Sequence, residues 1–197
     1  MVSRVESAYL PPRAASPAGA RDRIVTVATR LFYKRGIRAV GVDLVIAESG
    51  VAKTTLYKHF RSKDALIAEC LHRLDDRYFR WFESEVEAKT DDPIGRIAAL
   101  FEVLDDWFQR PDFRGCAFIN ASVELADPEH PARGAIANHK RRSRELIERL
   151  AREAGLEDPQ TVSDHLMLLM EGAIITALVE GDWEAARRAG AAASKLI

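Results

Sequence analysis

From residue 21 onward, apolar side chains return every three or four residues and nowhere alternate, so this chain is built to make helices rather than strands. Ile24, Val27, Ala28, Leu31 and Phe32 fall on one helical face, and Gly36 stops that helix. Two short segments follow, 42–48 and a second one running to Phe60, with Ser49-Gly50-Val51 between them. Ser62 is suited to cap a long helix whose inner face carries Ile67, Cys70, Leu71, Leu74, Tyr78, Trp81 and Phe82. Thr90-Asp91-Asp92-Pro93 ends it and opens the next, which reaches about Gln109 with Ile94, Ile97, Phe101, Leu104 and Phe108 inward. A shorter helix is expected over 116–126 and a proline-containing loop over 127–131. A long helix then closes at Gly155, and two more cover 159–179 and 183–196. The expectation is an all-α fold of about nine helices.

Charge divides the chain more sharply than its net of −1 shows. Residues 21–63 carry a net +7, whereas 64–197 carry −9. A basic head on an acidic body predicts that the head alone meets a polyanion. Residues 1–20, rich in Ala, Pro and Arg, read as a disordered leader without the apolar stretch of a signal peptide. No apolar run reaches the roughly 18–20 residues that span a bilayer, so no membrane partner is expected. Cys70 and Cys116 stand far apart in unrelated contexts, which gives neither a disulfide framework nor metal-ligand spacing and suggests a cytoplasmic protein. No nucleophile-and-base constellation, Gly-rich phosphate loop or paired-acid motif is present, so neither catalytic residues nor cofactors are expected.

Two short helices joined by a tight turn at a glycine are the mark of a helix-turn-helix. Gly50 can take the left-handed conformation such a turn needs. Val42 and Val45 should point inward from the first helix, and Val51, Leu56 and Phe60 should anchor the second. That leaves Lys53, Thr54, Thr55, Tyr57, Lys58 and His59 as donors of the kind that contact base edges and phosphates in duplex DNA. Lys63 adds a cation in the first turn of the following helix, beside amides that are themselves phosphate donors. The other reading of this face is a solvated helix, or a helical module that keeps the fold and binds a protein partner instead. A protein-binding face would not need this donor set.

The run from Arg21 to Leu66, above all Gly50-Val51-Ala52-Lys53-Thr54-Thr55-Leu56-Tyr57-Lys58-His59-Phe60 and Ser62-Lys63-Asp64-Ala65-Leu66, resembles the TetR family of bacterial regulators. Gly115–Asn120 is similar to a run found in some members. The resemblance implies a three-helix DNA-binding domain over 21–66 and a helical ligand-sensing and dimerisation domain over 67–197. It also implies an obligate homodimer, a drug- or metabolite-sized effector and, most often, repression. Tyr57 and Lys63 would contact phosphates, and Lys53, Thr54 and Lys58 bases or backbone. Three positions depart from the family pattern: Gly41 and Ala52 stand where Ser or Thr usually cap helices, and Ile46 occupies a usually small position.

Beyond the head, 159–179 is apolar on more than one side. Leu166, Met170, Ala173 and Ala177 serve one face, and Leu168, Ile175 and Val179 lie off it. Such a helix is buried on both faces, here against its own domain and against a second subunit. Ala185, Ala186, Ala189, Ala192 and Ala193 would let the last helix join a four-helix interface. Large apolar side chains with interspersed polar ones point to a small hydrophobic effector held near Phe101, Cys116, Phe118, Asn120, Met170 and Glu171, with Glu124 as a further polar group. The basic run His139–Arg144 reads as an exposed helix laced by i,i+4 pairs, Arg141 with Glu145, Arg144 with Glu148 and Arg149 with Glu153. Glu124, Asp127 and His130 read as solvated groups rather than metal ligands, and His139 and His165 as polar positions on amphipathic helices.

Overall fold

The computed structural model describes residues 19–197. The reading of 1–20 as a leader therefore falls almost wholly outside the described residues; Gly19 precedes the first helix, which begins at Ala20. Among the described residues there are nine helices and no strand: α1 Ala20–Arg35, α2 Val42–Ser49, α3 Lys53–His59, α4 Lys63–Lys89, α5 Pro93–Phe108, α6 Ala117–Glu124, α7 Arg133–Glu153, α8 Pro159–Glu180 and α9 Ala185–Ala193. The ends follow local chemistry. Gly36, at φ 88°, closes α1. Ser62 Oγ accepts the Ala65 N–H at 3.1 Å and so caps α4. Asp92 and Asp158 accept from Gly95 and Thr161 at 2.7 and 3.2 Å, each with a proline opening the helix behind it.

The helices fall into two compact units, the first of residues 19–79 with 117–137 and the second of 80–116 with 138–197. In the first, Ile24, Ala28, Val40, Leu56, Leu66 and Phe118 are sealed from water. In the second, the aromatic side chains pack largely on one another. Trp107 meets Trp81 at 6.3 Å and Phe113 at 5.0 Å between ring centroids, and Phe113 meets Trp183 at 6.0 Å, all edge-on.

Several expectations change. Ile94 lies in the first turn of α5, beyond the packed stretch, and is 43% exposed rather than inward. The last helix is shorter than 183–196, because Asp182 accepts the Glu184 N–H and makes a turn of Trp183 and Glu184. α8 is, by length and average composition, apolar enough to cross a membrane. Asp164 and Glu171 interrupt its apolar run, and Leu166, Met167, Met170, Ala173, Ile174 and Ala177 are packed inside the protein. The α7 basic run is not simply exposed either: His139 is buried and Lys140 half-buried. Arg141 does pair with Glu145, but Arg144 reaches Asp164 at 2.6 Å and Arg149 reaches Glu83 at 3.3 Å on other helices.

Candidate nucleic-acid interface and sensor residues

Gly50 adopts φ 64°, ψ 29°, and its N–H closes α2 on the Ile46 carbonyl at 3.1 Å. This left-handed residue turns the chain sharply enough for Val51 to fold inward, 8% exposed, before α3 begins. Val45, Leu56 and Phe60 are buried as expected, while Val42 is only half-buried at the start of α2. With these anchors inside, Lys53, Thr54, Tyr57, Lys58 and His59 all stand exposed on α3, and Thr55 is half-buried. Tyr57, at 43%, is an exposed aromatic. Lys53 Nζ lies 3.5 Å from Asp43 Oδ1, an exposed pair weak enough for a phosphate to displace.

Lys63 sits differently from its neighbours in the motif. Its ammonium donates to the Ile37 carbonyl at 2.6 Å and lies 5.9 Å from the Phe32 ring centre, so it is tied to the end of α1 and the turn after it. Sequence spacing could not reveal that partner, 26 positions away. Glu124 is likewise engaged: its carboxylate accepts the Arg38 N–H at 2.8 Å and lies against Gly36, where a Cβ would meet it at 3.2 Å. His130 faces Asp64 at 3.3 Å through Nε2 and accepts the Ala132 N–H through Nδ1. These groups brace the head.

The residues expected to meet an effector are divided between the units. Phe118 and Asn120 belong to the first, the former fully buried and the latter half-buried. Phe101, Cys116, Met170 and Glu171 belong to the second, the first three at 5% exposure or less. There the structure adds a residue the sequence did not single out. Lys140 pairs with Glu171 at 2.9 Å and approaches Cys116 Sγ at 3.9 Å. Phe101 also lines a cleft of about 370 Å³ whose other walls carry Lys89, Glu102, Asp105, Asp106 and Arg187. Cys70, by contrast, has its thiol pushed up to about 12 by burial, which makes it an inert core group.

A buried helix-turn-helix scaffold carrying an exposed donor row defines a DNA-binding regulator, not an enzyme. Two family models match. Residues 24–70 fit the bacterial regulatory proteins of the tetR family, and 93–193 fit the tetracyclin repressor-like C-terminal domain. The second match alone spans half of the chain, and the chain belongs to the TetR family of transcriptional regulators. It is similar to a solved TetR-family regulator from Streptomyces coelicolor, at 32% identity and TM-score 0.81 over 90% of this chain and 93% of that one. The transcriptional regulator LmrA of Bacillus subtilis is 27% identical over 161 residues, 80% of this chain and 86% of its own. The transcriptional repressor DhaR of a Mycobacterium species is 31% identical over 110 residues, 54% of this chain and 52% of its own.

Proposed function

We propose that this chain is a cytoplasmic repressor that binds a near-palindromic operator as a homodimer and leaves it when a small hydrophobic molecule binds. The observation that carries the reading is the division of α3: Leu56 is fully buried while Lys53, Thr54, Tyr57, Lys58 and His59 are exposed. A helix held by one face and bearing donors on the other is what a major groove accepts. Lys53, Thr54, Thr55 and Lys58 read bases and nearby backbone in this account, Tyr57 and His59 hold phosphates, and Lys63 does so once its bond to Ile37 is exchanged. Dimerisation is supported by α8, where Leu168 and Val179 are 70% and 74% exposed on a helix whose opposite face is buried. The effector reading rests on the buried apolar side chains Phe101, Cys116 and Met170 of the second unit, with Glu171 as the polar group that would orient a ligand.

Footprinting on the intergenic DNA beside the chain's own gene tests this. Two symmetric protected half-sites, one helical turn or a multiple apart, are expected. A single unsymmetrical half-site would contradict the dimeric reading.

A further inference from the structure

On the far side of α1 from its buried residues runs a basic stripe that the helix-turn-helix does not use. Arg23, Arg30 and Lys34 are spaced i, i+7 and i+11, with Arg35 beside them at the end of the helix. They wall a groove of about 610 Å³ with Val27 and Leu31 on its floor and the last turn of α2, Glu48 and Ser49, on its other side. Elsewhere, Arg21 pairs with Glu69, Arg73 with Asp22 and Arg144 with Asp164. Arg30, Lys34 and Arg35 form no ion pair among the described residues. Four cations face one acid, Glu48, in a groove whose apolar floor can support their aliphatic stems.

We propose that this α1 groove is a second contact surface for the DNA backbone, additional to α3. The inference rests on the DNA-binding reading and extends it. From Arg23 to Lys34 the helix rises about 16 Å, a length over which one strand of B-DNA presents about five phosphates. Guanidinium and ammonium groups at such intervals suit a regular polyanion and carry no base-reading geometry. The groove therefore adds affinity and salt dependence without adding sequence preference.

The test is the double variant Arg30→Ala/Lys34→Ala, titrated against a labelled duplex of the upstream intergenic region and a random-sequence duplex at several salt concentrations. Both positions lie on the outer side of α1, and circular dichroism and thermal melting check that the fold is kept. Affinity for both duplexes should fall alike, and the slope of log K against log salt for the bound dimer should become shallower by about 3.6, near 0.9 for each of the phosphates lost by its two subunits. Phosphate-ethylation interference should show defined phosphates that matter to the wild type and not to the variant. The exchange Arg30→Lys/Lys34→Arg should keep the wild-type slope. An unchanged slope in a folded double variant would overturn the groove and leave the α3 reading standing. Weaker binding with every interference signal retained would mean a long-range field, not a contact, and would also overturn it. So would polyglutamate binding the wild type but not the variant while the DNA slope stays constant, since the groove would then belong to an acidic protein partner. A wild type that binds neither duplex would overturn both readings together.

Discussion

Ala52 leaves the amino end of α3 without a side-chain acceptor; the Thr55 and Leu56 amides share the Ala52 carbonyl instead, at 2.9 and 3.2 Å. Restoring the missing oxygen with Ala52→Ser should stabilise the protein by about 1 kcal/mol, read from urea denaturation, and an unchanged midpoint would show that the cap has no role here. Removing groups on the same helix separates two kinds of contact. Tyr57→Phe should weaken operator and random duplex equally. Lys53→Ala should cost about 1–3 kcal/mol more on its preferred base than on a substituted one, measured by competition binding. Equal losses on both duplexes for Lys53 would remove it from base reading. At this scale the sequence showed which α3 residues face out, because helical period and a left-handed glycine decide that locally. It did not show that Lys63 holds Ile37, that Glu124 holds Arg38, or that Lys140 pairs with Glu171. Those partners lie 26, 86 and 31 positions apart and meet only through tertiary packing.

Between elements, two features govern behaviour. α1 is braced to α4 by Arg73, which donates to Asp22 at 2.6 Å and Glu69 at 2.7 Å, while Arg21 adds a second bond to Glu69 at 2.9 Å. The hydrogen bond from Arg73 holds the Asp22 carboxyl below its usual range. Partial burial opposes the same shift at Glu69, but the bonds from Arg73 and Arg21 outweigh it. Carboxylates lowered in the folded state contribute stability above their unfolded pKa, about 4, and that contribution is lost as pH falls through the folded values. Arg73→Met should therefore flatten the acid limb of a stability profile below about pH 5 and change little of its shape above. An identical acid limb in both proteins would show that the brace is energetically silent. The second feature is the outer face of α8. Leu168→Asp or Ile175→Asp should give monomers by light scattering that no longer bind operator, and unchanged mass for both would move the subunit contact elsewhere. Most helix boundaries were legible because Gly, Pro and Asp mark them chemically. The span of α9 was not, since alanines allow a helix over 183–196 and the Asp182 turn sets where it begins.

For the molecule as a whole, the division into two units means that one covalent element, α4, contributes to both, with Lys63 at the head end and Trp81 and Phe82 in the second unit. On the proposed reading, an effector held by the second unit would be joined through that helix to the head whose α3 is proposed to read DNA. Coupling of about 1–3 kcal/mol would change operator affinity roughly 5–150-fold, and operator would weaken effector binding by the same factor. A thermal-shift screen of hydrophobic compounds should find one that stabilises the wild type and releases DNA, and Glu171→Gln should reduce its effect. A compound acting equally on both proteins would place the seat away from Glu171. Sequence alone could not locate that seat, because aromatic residues at helical spacing serve core and pocket alike, and here Trp81, Trp107, Phe113 and Trp183 pack on one another. The central claim, that α3 reads DNA, is tested most directly by fluorescence anisotropy. Wild-type protein is titrated into the upstream intergenic duplex and into the same bases shuffled, across a range of salt. Binding should be at least about 10³-fold tighter to the intergenic duplex at physiological salt, with affinity for both falling steeply as salt rises. Equal affinity for the two duplexes, or no binding to either at low salt, would contradict it.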